Sequence, residues 1–287
     1  MKMKKILSAV LCLAMIASMS FALADSSSSR VVIGSDLNQE QINQVYKTFR
    51  INRGDVTELT VTNRDERAYL SQSVDESMIG TRAISCIFIE ALNEGSGLNV
   101  STSNISWCTP DTYRNALTTA GITDANVTIT APFSVSGTAA LTGIYMAYES
   151  ITGKKLDETA KQVGSEELAV SSELANEIGD EDTSAIVNDL KAILDQTRNM
   201  SDEELRSTIV SIASDYDQNL TEEQIQKLIN LVRNLEKLDT NALMERVNSV
   251  KDALHRLSDV QNTAQNFTEK LRSFISTIVE FFQGLVD

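Results

Sequence analysis

The chain has 287 residues, of which 42% are hydrophobic, 23% are charged and only 2 are Pro. That composition excludes collagen-like, low-complexity and wholly disordered chains and is enough to build one large or two ordinary domains. The formal charge of −15 opposes phosphate backbones and anionic lipid, so nucleic acid is not an expected partner; with 5% aromatics and a single Trp, base-stacking platforms lack material as well.

The first element is a targeting segment. Lys2, Lys4 and Lys5 precede an apolar run from Ile6 to Ala17, and Ala22-Leu23-Ala24 supplies a small-x-small cleavage site. The run is shorter than the about 20 residues a membrane span needs. Leu11 stands before Cys12 where a lipobox would need a small residue, so residues 1–24 are expected to be a signal peptide and the mature chain to be secreted or envelope-associated. Cleavage removes three Lys and no acid, leaving −18, of which −12 falls after Ser150. Residues 25–30, rich in Ser, are expected to form a flexible leader.

From Val31 to about Ser150, β-rich runs alternate with helical periods. Val31 to Ile33 read as a strand, and Asn38 to Phe49 as a helix with Ile42, Val45, Tyr46 and Phe49 along one face. Val56 to Thr62 read as a strand and Asp65 to Leu70 as a short helix. Thr81 to Leu92 and Leu98 to Trp107, separated by the turn-forming Asn93 to Gly97, predict a hairpin. Thr109-Pro110 opens a helix that Gly121 stops; Asn126 to Phe133 is the next strand, and Gly137 to Ser150 the next helix.

After Thr152 every apolar spacing is helical. The expected fold is therefore an α+β (mixed α/β) N-terminal domain over 31–150, followed by an all-α acidic helical bundle over 151–287. Two bundle helices announce their starts with capping boxes, Ser201 with Glu204 and Thr221 with Gln224. The terminal stripe from Phe267 to Val286 carries few basic residues, which favours packing on the bundle over contact with a membrane or partner.

Cys86 and Cys108 fall on the two arms of the predicted hairpin. In an oxidising destination a disulfide between them and a pair of buried free thiols carry equal weight.

Several chemistries lack residues. His255 is the only His, set between Leu254 and Leu257, which removes most routes to a His-based nucleophile or zinc site. Lys47 is the only lysine between the cleavage site and Ser150, and no phosphate-cradling glycine motif occurs. The stretch from Asp215 to Asn219 imitates a calcium loop, but Leu220 and Gln226 replace its essential Gly and Glu. No cofactor is expected; the acidic runs Asp180 to Asp182 and Asp202 to Glu204 leave only a weak case for loose calcium binding beside their plainer reading as helix starts.

One constellation stands out, where Ser134, Ser136, Gly137 and Thr138 bridge a strand and a helix start. Free N–H groups and hydroxyls there can hold an anionic or carbonyl group without lysine; the plainer alternative is an ordinary N-cap. The leading function is a non-enzymatic binding protein with an unknown envelope or extracellular partner. The alternative is a hydrolase of envelope polymers using a pair drawn from Asp65, Glu66, Glu90, Glu94 and Asp111.

The motifs Val-Ile-Gly-Ser-Asp-Leu (32–37), Val-Thr-Asn-Arg-Asp-Glu (61–66), Ile-Gly-Thr-Arg-Ala-Ile-Ser (79–85) and Ala-Pro-Phe-Ser-Val-Ser-Gly-Thr-Ala-Ala-Leu-Thr-Gly (131–143) resemble the YpuA-like secreted bacterial proteins, known as domain of unknown function 1002. The resemblance runs from Val31 to about Thr221 and implies an exported protein of Gram-positive-type bacteria. It brings no catalytic residues.

Overall fold

A computed structural model describes residues 28–71, 74 and 76–256. The expected signal peptide (1–24), the first half of the Ser-rich leader (25–27) and the apolar stripe from Phe267 to Val286 lie outside the described residues.

Five strands form one sheet, β1 (Ser29–Gly34), β2 (Thr57–Val61), β3 (Cys86–Ala91), β4 (Leu98–Ile105) and β5 (Ala125–Val135), in the order β2-β1-β3-β5-β4. Helix α1 (Gln39–Phe49) links the parallel pair β1 and β2, and α4 (Pro110–Ala120) links the parallel pair β4 and β5. Strand β3 runs antiparallel to both its neighbours. Strand β1 begins at Ser29, inside the run the sequence assigns to the leader, and pairs Ser29 with Glu90.

The predicted hairpin does not form. Strand β5 lies between its two arms, pairing antiparallel with β3 and parallel with β4. The intervening turn crosses the end of β5, where Leu92 N–H donates to the Asp124 carbonyl and Gly97 N–H to the Asp124 carboxylate, both at 2.9 Å. Burial explains the insertion. Val127, Ile129 and Ala131 of β5 are almost fully buried, which suits a central strand, whereas Asn99, Ser101 and Ser103 leave β4 polar on one side and fit for an edge.

The cysteine pairing falls with the hairpin. Cys86 faces the smaller core formed by Val31, Ile33, Val45, Tyr46 and Phe49, while Cys108 sits in the main core on the opposite face of the sheet. Both are buried free thiols. Alternation along β3 sends Cys86 one way and Ile87 and Ile89 the other.

The main core lies under α4 and α5 (Thr138–Thr152), with α2 (Asn63–Leu70) and the short α3 (Glu76–Ile79) closing its edge. Beyond it run α6 (Glu158–Ile178), α7 (Asp180–Ala192), α8 (Leu194–Thr197), α9 (Asp202–Asp215), α10 (Glu222–Leu235) and α11, described over 240–256. The described chain after Thr152 is helical, and both expected capping boxes form. Packing nevertheless crosses the change in secondary structure. Helix α6 gives Leu168 and Ala169 to the main core and Ala160, Val163 and Leu174 to the helical one, and Val250 of α11 returns to the main core. The fold is mixed α+β. Among the described residues no helix is long and apolar enough to cross a membrane.

Candidate functional site

Strand β5 ends at Val135 and α5 begins at Thr138, so Ser136 and Gly137 make the whole turn. Gly137 is the N-cap at φ 102°, a left-handed conformation, and has no side chain with which to cap. Its close surroundings also demand glycine: a Cβ there would lie 2.5 Å from the Tyr113 hydroxyl and 2.6 Å from an Ile105 methyl. Tyr113, fully buried, donates its hydroxyl to the Gly137 carbonyl at 2.6 Å and so pins the turn to α4.

A cleft of about 470 Å³ opens beside this turn. Ser134, Ser136, Gly137 and Thr138 line one side, Met78 to Arg82 form the facing wall, and Glu66 of α2 lies between them. The facing wall is tied down by two side chains. Ser136 Oγ donates to the Met78 carbonyl at 2.8 Å, Arg67 donates to the Gly80 carbonyl at 2.7 Å, and Arg67 also pairs with Glu76.

Glu66 is 1% exposed. Burial pushes its carboxyl above the ordinary carboxylate range, opposed by hydrogen bonding with Thr138 and with the Asn63 amide, which donates at 3.1 Å. The cleft therefore offers hydroxyls and the exposed Arg82 and Phe133 at its rim, with the buried Glu66 carboxyl behind them. It suits a ligand rich in carbonyl, hydroxyl or carboxylate oxygens.

All four residues expected from sequence thus line one cleft, with different roles. Ser134 is exposed, Ser136 spends its hydroxyl on Met78, and Thr138 is buried beside Glu66. Sequence spacing missed Arg82 and the 78–82 wall, because that loop is brought opposite the turn by long-range bonds alone, and it did not single out Phe133 within the 130–143 stretch. Glu66 was visible only as one of several carboxylates.

The other carboxylates disperse. Asp65 caps α2 through Thr62, Glu90 pairs with Asn126 across the sheet, and Asp111 pairs with Arg114. Among the described residues lining the cleft, Glu66 is the sole carboxylate. The acidic runs also face protein donors: Thr109 donates to Asp180, Gln218 donates to Asp182 at 2.5 Å, and Asp202 pairs with Arg233 at 2.9 Å. No group of three or more potential metal ligands converges among the described residues.

The family model described as a protein of unknown function, DUF1002, matches residues 33–257. This chain belongs to the DUF1002 family. Its sequence is 35% identical over 292 residues to a Bacillus subtilis (strain 168) relative described as uncharacterized protein YpuA, an alignment covering 99% of this chain and 97% of the relative. No solved structure matches. The DUF1002 match runs from the end of β1 through the rest of the sheet, the cleft and the helices through α11, so the cleft lies within the family's common region.

Proposed function

We propose that this DUF1002 protein is an exported, non-enzymatic binding protein that holds an oxygen-rich envelope or extracellular ligand in the cleft at the start of α5. The carrying observation is the convergence on one open cleft of Ser134, Ser136, Gly137 and Thr138 with Arg82 and the buried Glu66. The N-terminal Lys cluster, apolar run and small-x-small triplet support export. A hydroxyl-lined cleft with one buried carboxyl favours recognition over paired-carboxylate hydrolysis, which needs a second carboxyl within about 5–10 Å.

The test is co-sedimentation of the chain from Asp25 to Asp287 with purified cell envelopes, with calcium and with chelator. Arg82→Gln removes a charge at an exposed position and is expected to weaken binding about fivefold, as one exposed charge-assisted contact should. Ser136→Ala with Thr138→Ala is expected to weaken it further. Retention unchanged in both variants would overturn the site assignment. Release by chelator alone would move binding to the acidic helices.

A further inference from the structure

A second, larger groove of about 720 Å³ opens on the other side of the 77–78 segment, between the sheet-side wall and helices α6 and α10. Its floor follows from helical spacing. Glu166, Ala169, Val170 and Glu173 fall at i, i+3, i+4 and i+7 along one face of α6, and Glu223, Lys227 and Asn230 share the facing side of α10. Trp107, the chain's only tryptophan, half-buried against the main core, completes the wall with Val74 and Met78.

The charge is lopsided. Three carboxylates meet one cation, and that cation is already shared: Lys227 Nζ lies 2.5 Å from Glu173 and 2.9 Å from Glu223. Both carboxylates remain well exposed, with side chains 46% and 77% accessible. Beside them lie an indole and aliphatic side chains, which together suit a long apolar stem ending in a positive charge.

We propose that this groove binds a lysine side chain of a partner peptide, its methylenes along Trp107, Val170 and Met78 and its ammonium at Glu173 and Glu223, in place of or beside Lys227. The groove shares Ser77 and Met78 with the cleft at the α5 start but none of that cleft's charged groups.

Because Trp107 is the only tryptophan, fluorescence excited selectively at tryptophan reports on this groove free of the chain's six tyrosines. The folded chain from Asp25 to Asp287 is titrated with N-acetyl-trilysine amide at constant ionic strength, and in parallel with the same peptide acetylated on every side chain. A saturable change is expected with the first and none with the second. Glu173→Gln with Glu223→Gln should weaken binding about fivefold, the worth of two exposed ion pairs at about 0.5 kcal/mol each. Lys227→Gln should tighten it, an increase that damage to the fold cannot imitate. Arg82→Gln should leave it unchanged. An absent response, an equal response to the acetylated peptide, or weaker binding in Lys227→Gln would overturn the proposal.

Discussion

Lys191 of α7 and Glu167 of α6 form an ion pair at 2.5 Å with both side chains wholly buried. Thr119 of α4 donates its hydroxyl to the other Glu167 oxygen at 2.5 Å, and Lys191 also reaches the Asn115 carbonyl at 3.4 Å. One buried pair thus joins the helix that covers the sheet to the first two helices beyond it. Removing either charge strands the other in an apolar interior, which costs far more than the intact pair contributes.

Lys191→Met is therefore expected to destabilise the protein by about 3–5 kcal/mol, and Glu167→Gln by a similar amount. Lys191→Met combined with Glu167→Leu should recover most of that loss, since two apolar residues leave no orphan charge. Urea unfolding of the single and double variants measures the coupling. Losses that simply add would show that the pair does not act as a unit.

Gly137→Ala should destabilise by at least about 2 kcal/mol, combining left-handed strain with the clash against Tyr113 and Ile105. Tyr113→Phe relieves little of the strain, because φ remains positive, but removes the hydroxyl nearest the new Cβ. The double variant should then unfold at a higher denaturant concentration than additivity of the singles allows.

Glu66 gives a pH dependence opposite to that of an ion-paired carboxylate. Burial raises its carboxyl above the ordinary value of 4.5, so its stabilising contribution is complete below about pH 4.5 and declines as pH rises through the folded-state value. Glu66→Gln, which never ionises, should match the parent near pH 4 and become relatively more stable toward pH 7. Thermal melts across that range check it; a variant less stable at pH 7 than at pH 4, relative to the parent, refutes it.

Both thiols should be silent in the native protein. Burial pushes Cys86 and Cys108 up to about 12, leaving almost no thiolate at neutral pH. Iodoacetamide should label neither until denaturant is added, and then both without any reductant. The raised values also mean stability declines above about pH 9, as the unfolded chain ionises first.

The helices were legible because their signals are local. The Asn38 to Phe49 stripe, Pro110 at a first turn, Gly121 as a stop and the boxes at Ser201 and Thr221 each lie within one or two turns of chain, and each appears where expected. The α+β character and the turn at Ser136 and Gly137 followed from the same short-range pattern. Strand order could not, because pairing of β5 with β3 and β4 depends on which strand best fills the centre of a sheet, a comparison across the whole chain.

That difference decided the rest. The sequence by itself determined the main strands and the helices with local caps or stops, the acidity, the scarcity of His and Lys in the first half, and the cluster of hydroxyls at one helix start. Only the tertiary structure placed Cys86 and Cys108 on opposite faces, set Glu66 and Arg82 in the cleft with those hydroxyls, and brought Trp107 to the carboxylates of α6 and α10. The reason is physical: capping and periodicity are written within a few residues, whereas burial, pKa and cleft chemistry belong to groups that only long-range packing makes neighbours.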